Sequence, residues 1–251
     1  MSLDWRVYCL DTIDKLAVPG CFGSGKSDTY LDWLIAAWGQ TVIVAALSLV
    51  VALVVGSLVG ILRTLPSSPI LARAAAVWVE FFRNIPLLVQ IFLWYHVVPV
   101  LLPFFADTPK LVLVVMGLGL FTSARIAEQV RAGLQSLPRG QRYAAMAMGF
   151  TTGQTYRYVL LPMAFRIIIP PLTSEGMNIF KNSSVAFAVS VTELTFFAQQ
   201  AGEETAHGIE IYMGVTLLYV ISALTINRAM AFIEARVRVP GMVASTGGGG
   251  H

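Results

Sequence analysis

Charge is what this 251-residue chain has least of. Asp, Glu, Lys and Arg make up 12% of it, about half of the roughly 25% usual in soluble domains, which excludes an ordinary water-soluble globule. Cysteine is almost absent. Cys9 and Cys21 are the only two, too few for a disulfide scaffold; a single bridge between them and a pair of unpaired thiols both fit. Histidine occurs at positions 96, 207 and 251 alone. With no Cys/His metal spacing and no nucleophile elbow, the chain offers no catalytic or metal-binding constellation. Residues 1–32 lack the charged, then apolar, then small pattern of a cleaved signal peptide, which leaves the first apolar run as the insertion signal.

Apolar residues are abundant, at 56%. A span needs about 20 of them to cross roughly 30 Å of hydrocarbon. Trp33 to Leu62 contains no Asp, Glu, Lys or Arg, and neither does Asn84 to Ala106. The expected spans are 33–62, 77–104, 111–131, 167–191 and 209–232, the third and fourth with charges inside. These runs are long and continuously apolar, whereas barrel strands alternate over about ten residues. The expected fold class is an all-α membrane protein with about five transmembrane helices. Residues 1–32 form an extracytoplasmic segment, 33–238 the membrane domain with a loop at 138–166, and 239–251 a flexible Gly-rich tail.

Basic residues collect in cytoplasmic loops near span ends. Arg63, Arg73 and Arg83 lie around the first connection, Arg125 to Arg166 around the third, and Arg228, Arg236 and Arg238 after the fifth span. The acidic stretch from Glu193 to Glu210 falls on the other side. Five spans then place the N-terminus outside and the C-terminus in the cytoplasm.

Gly20 to Ser27 matches the phosphate-loop pattern G-x-x-x-x-G-K-[ST]. That pattern holds phosphate only between a buried strand and a helix. Here Asp14 to Pro19 precedes it, no parallel-sheet repeat follows, and the topology faces it away from cytosolic ATP. A Gly-rich turn is the expectation.

Polar residues inside the apolar runs carry more information. Taking Ser174 as origin at about 100° per residue, Glu175 falls at about 100°, Asn178 at 40°, Lys181 at −20° and Asn182 at 80°. These groups, with Ser183 beyond, mark the fourth span as two-faced. Mid-membrane ionisable groups usually face a bundle interior or a water-filled path, so this face is expected to line a substrate pathway. The alternative is an ion pair of Glu175 with Lys181 or with another helix. Arg125, Glu128 and Arg131 repeat at i, i+3, and Glu80, Arg83 and Asn84 precede Pro86. Both groups are expected to be structural or gating ion pairs. His96 sits beside Trp94 and Tyr95 as an interface residue.

Between the third and fourth spans lies a basic segment without an acid, Arg139 to Pro162. Its composition suits a short helix at the membrane surface, docked either on a protein or on anionic lipid. The thin apolar face of Ala and Met favours a protein.

The run Tyr143-Ala144-Ala145, three residues, Gly149, nine residues, Val159-x-Leu161-Pro162 resembles the E-A-A-x-x-x-G-x₉-I-x-L-P loop of permease subunits of bacterial ABC importers. Glu80 to Gln90 and Glu128 to Gln141 resemble the polar amino-acid branch of that family, and Phe121 to Gln141, Tyr156 to Pro162 and Thr173 to Ser183 look closest to its glutamate/aspartate permeases. Tyr143 stands in place of the motif's glutamate and Val159 in place of isoleucine. The resemblance implies a type I importer permease fold in the bacterial inner membrane, whose short cytoplasmic helix docks on an ATPase. Arg139, Gln141, Arg142, Ala144, Ala145 and Gly149 would then couple to that ATP-binding subunit. ATP and magnesium would bind in the partner, leaving this chain without a cofactor. A second permease, identical or homologous, and an extracytoplasmic amino-acid-binding protein complete the expected partners beside membrane lipid; nucleic acid is not among them. An ion-coupled secondary transporter or channel, or a non-transporting scaffold, are the alternatives.

Overall fold

The computed structural model describes residues 3–21, 29–66 and 68–237. Most of the phosphate-loop match, 22–27, and the Gly-rich tail lie outside them. Helices dominate: α1 (Tyr30–Leu62), α2 (Pro69–Asn84), α3 (Leu87–Phe92), α4 (Lys110–Gln135), α5 (Arg139–Ala147), α6 (Leu161–Asn182), α7 (Leu194–Thr205) and α8 (Gly208–Val237). Among the described residues, β pairing is confined to two isolated bridges, Leu10 with Ala17 and Asp11 with Thr29. By length and composition α1, α4 and α8 can cross a membrane, and α2 with the stretch Leu87–Leu101 makes a fourth if the two form one broken span.

The apolar run read from sequence as one helix over 77–104 is therefore two elements. Pro86 lacks an N–H and forces the residue before it out of the helical region, so α2 stops at Asn84 and the chain restarts at Leu87. A π turn over Leu93–Val97 then carries the second piece onward. Helix α6 covers much of the expected fourth span but is not among those meeting the length and apolarity requirement. It contains Arg166, Glu175, Lys181 and the internal pair Pro170 and Pro171.

The chain divides into two compact units. The first comprises Met1–Val50, Ile85–Gly119 and Asn178–Thr225. Its core gathers Val7, Tyr30, Leu34, Leu194, Phe197 and Ile211. Burying such side chains contributes about 1.5–3 kcal/mol each. Within the N-terminal segment a disulfide joins Cys9 to Cys21, and side chains of the segment tie it into this unit. Tyr8 adds a hydroxyl bond to the Glu210 carbonyl at 2.9 Å. Lys15 bonds the Tyr30 hydroxyl and pairs with Glu204 at 3.0 Å. The Lys15 hydrogen bond, seconded by Tyr30, holds the Glu204 carboxyl below the usual carboxylate range. Glu193 caps α7, accepting from the Thr195 and Phe196 amides at 2.9 Å each. Such a cap satisfies N–H groups that the first helical turn leaves without partners.

The second unit comprises Val51–Asn84, Leu120–Met177 and the chain from Ile226 onward. Here α1 lies close against α4 through two glycines one turn apart. A β-carbon added at Gly56 would meet the Ser123 carbonyl at 2.7 Å, and one at Gly60 the Ala127 carbonyl at 2.7 Å. Small residues spaced by four let helix backbones approach where lipid supplies no hydrophobic drive between helices. Because the obstructing atoms at Gly60 include backbone and the Val130 β-carbon, neither can rotate away. Gly60→Val should push α1 off α4 and cost about 1–3 kcal/mol, seen as a lower Tm of the purified protein in detergent; an unchanged Tm would contradict the close packing.

Candidate functional site

The functional residues expected from sequence separate into three places. The basic segment forms α5, a nine-residue helix. Its end is built by Gly149, whose φ of +85° is left-handed. The Gly149 amide donates to the Met146 carbonyl at 3.0 Å and the Phe150 amide to the Ala145 carbonyl at 3.1 Å, the paired bonds of a Schellman stop. A β-carbon at Gly149 would meet nothing within 4 Å, so backbone conformation rather than space requires glycine there. Ala145 is buried within its own unit, whereas Ala144 is exposed. Tyr143, Met146 and Met148 project outward with exposures of 65%, 49% and 69%. Arg139 is exposed, and Gln141 and Arg142 are half-buried.

Beside α5 opens a cavity of about 550 Å³ whose lining includes Arg63, Thr64, Arg139, Arg142 and Tyr156. The Tyr156 hydroxyl donates to the Thr64 carbonyl at 2.6 Å. Three guanidinium groups around one opening suit a carboxylate or phosphate.

Glu128 is the hub of the second place. Its carboxylate bonds Arg63, takes Arg131 Nε at 2.8 Å and stands 3.6 Å from Arg83. The local i, i+3 pairing read from sequence therefore holds for Arg131 only. Arg63 enters from the end of α1, a residue noticed in the sequence solely as a loop charge; Arg83 arrives from α2, while Glu80 instead accepts from the Asn84 amide at 3.2 Å.

Arg125 turns to the third place, pairing through Nη2 with Glu175 Oε1 at 3.2 Å. Gln129 Nε2 donates to the same oxygen at 3.1 Å. Glu175 thus has an inter-helix partner, and it is not Lys181. Gln129 escaped the sequence reading, although its i, i+4 spacing from Arg125 puts both on one face of α4. Along α6 the exposed residues Pro171, Ser174 and Lys181, with half-buried Asn178, follow helical spacing. Among the described residues Lys181 makes no ion pair. Asn182 is half-buried, and Ser183 is buried with its hydroxyl donated to the Phe180 carbonyl at 2.7 Å. His96 packs on Phe92 and Tyr95 at ring separations of 5.9 and 4.6 Å. No group of three or more potential metal-ligating His, Cys, Asp or Glu occurs among the described residues.

Residues 52–239 match the family described as binding-protein-dependent transport system inner membrane component. The chain is 44% identical over 223 residues to the glutamate/aspartate import permease protein GltJ of Escherichia coli K12, covering 85% of this chain and 90% of that protein. It is 27% identical over 205 residues to GltK of Escherichia coli O6:H1, likewise a glutamate/aspartate import permease protein, covering 78% and 89%. The crystal structure of an amino acid ABC transporter with histidines superposes with a TM-score of 0.72 at 28% identity, over 82% of this chain and 95% of that one.

Removing the central carboxylate tests the hub. Glu128→Gln leaves Arg63, Arg131 and Arg83 facing one another without a counter-charge and should destabilise by about 3 kcal/mol, measured by thermal unfolding in detergent. A loss below about 0.5 kcal/mol, as for exposed pairs, would show the cluster to be a surface feature.

Proposed function

The chain belongs to the binding-protein-dependent transport system inner membrane component family, and from that premise we propose that it is the membrane permease subunit of an ATP-driven importer that carries glutamate or aspartate into the cytoplasm. ATP and magnesium bind in a separate cytoplasmic subunit, and an extracytoplasmic binding protein delivers the amino acid. The acidic cargo is supported by the 44% identity to a glutamate/aspartate permease. Similarity to both GltJ and GltK supports pairing with a homologous second permease.

One observation carries the coupling reading. Helix α5 is short, without an acid, stopped by a left-handed glycine, and exposes Tyr143, Met146 and Met148 beside an arginine-lined cavity. Such a surface fits an ATPase cleft bearing acidic side chains. Tyr143, where the family motif has glutamate, removes the one anion that would oppose that charge pattern. ATPase closure is then transmitted through α5 and the continuous helical stretch from Thr152 into α6.

A cytoplasmic α5 requires the N-terminus outside. The Cys9–Cys21 disulfide supports that orientation, since such bonds persist in oxidising compartments such as the periplasm. The exposed polar stripe on α6, with Lys181, which makes no ion pair among the described residues, lines the path taken by the anionic cargo. A lone ammonium in this position is costly to bury in lipid, and it is stabilised when it faces water or an anion.

Reconstitution with the ATPase, a second permease and the binding protein should yield ATP-dependent uptake of glutamate and aspartate over neutral analogues. Lys181→Glu should abolish that uptake while the complex still assembles on size exclusion; unaltered uptake kinetics would remove Lys181 from the path. Gly149→Leu forces a left-handed β-carbon at an estimated cost of about 1–2 kcal/mol and should uncouple ATP hydrolysis from uptake at least tenfold or release the ATPase. Normal transport in that variant would refute the coupling role.

A further inference from the structure

The pair joining α4 to α6 is incomplete in a particular way. Glu175 has a side chain 5% exposed, and both of its contacts, Arg125 and Gln129, fall on Oε1. Glu175 Oε2 is buried without a hydrogen-bond partner, and so is Gln129 Oε1. An ion pair that served only to hold two helices would gain most from a bidentate guanidinium contact that used both oxygens. Instead two buried acceptors are left bare next to a guanidinium that is 40% exposed. Buried acceptors without donors are unfavourable.

We propose that Arg125, Gln129 and Glu175 form a binding site for the zwitterionic head of an amino acid. The ammonium group, with three N–H donors, is taken by Glu175 Oε2 and Gln129 Oε1; the α-carboxylate is taken by the outward N–H groups of Arg125. The proposal rests on the importer reading given above. The charge count agrees for the head group: an arginine and a glutamate together are neutral, as is the amino-acid head, so the head enters and leaves without stranding a charge. Neither bare oxygen touches solvent in this conformation. The ammonium therefore enters by displacing the amide of the half-buried Gln129 from Glu175. Glu175 repels any further carboxylate, so an acidic cargo side chain must point away from α6. The site reads the common head of an amino acid and leaves side-chain choice to other groups.

The test uses the complete importer with its ATPase, second permease and binding protein in nanodiscs. Binding of radiolabelled glutamate to the transporter is measured with the binding protein omitted. Glutarate, which lacks the ammonium, and 4-aminobutyrate, which lacks the α-carboxylate, serve as competitors. Wild-type protein should bind glutamate at least about tenfold more tightly than either analogue. Glu175→Gln should weaken glutamate binding about tenfold and erase the discrimination against glutarate. The neutral pair Arg125→Gln with Glu175→Gln retains hydrogen-bonding groups on both helices and should fold, yet lose uptake. Variants that bind and discriminate within twofold of wild type overturn the proposal, as does a lower thermal stability with ligand discrimination intact, which is the signature of a purely structural pair. Absence of ATP-driven uptake by the wild-type complex would refute the importer reading, and the binding measurement on that same complex still decides the site.

Discussion

Charge in an apolar bundle must find a counter-charge or water, and the second unit is arranged around that requirement. Desolvating a guanidinium or carboxylate costs several kcal/mol unless an opposite charge and further hydrogen bonds compensate. Glu128 meets the need of Arg63 and Arg131 at once and lies near Arg83. Helices α1, α2 and α4 are thereby joined at one carboxylate. An excess of positive charge remains around this hub and in the cavity by α5.

Close packing makes the charge network possible. Gly56 and Gly60 bring α1 against α4 within the same unit, and Arg63 follows Gly60 by less than one turn. In the first unit the equivalent work is done by cores and caps. Tyr30 is fully buried, Glu193 caps α7 and accepts from the Tyr219 hydroxyl at 3.1 Å, and the N-terminal segment is tied down by Tyr8 and Lys15. Burial raises the Glu193 carboxyl above its ordinary value, opposed by the amides it caps.

Much of this was readable from residue order. The uncharged run from Trp33 to Leu62 marks α1, and Arg139 to Gly149 marks a short surface helix with a glycine stop, because helix starts, stops and apolar runs are local properties. Pro86 announces the break between α2 and α3, though the unbroken apolar run around it reads as one span. Partner choice was less legible. Glu128 reads as a local pair with Arg131, but Arg63 reaches it from 65 positions away, and Gln129 meets Glu175 across 46. Spacing along a helix constrains only neighbours on that helix.

Sequence by itself determined that the chain is helical and membrane-embedded, which segment forms a short basic helix, and which family it belongs to. These follow from composition, from periods of a few residues and from a contiguous motif, all independent of how helices pack. Only the tertiary structure decided which carboxylate serves which arginine, that Ala145 turns inward while Ala144 faces out, and that Glu175 keeps one buried oxygen unpaired beside Arg125. Each of these depends on helix rotation and on approach between residues far apart in the chain, where a shift of one residue moves a side chain by about 100° around its axis.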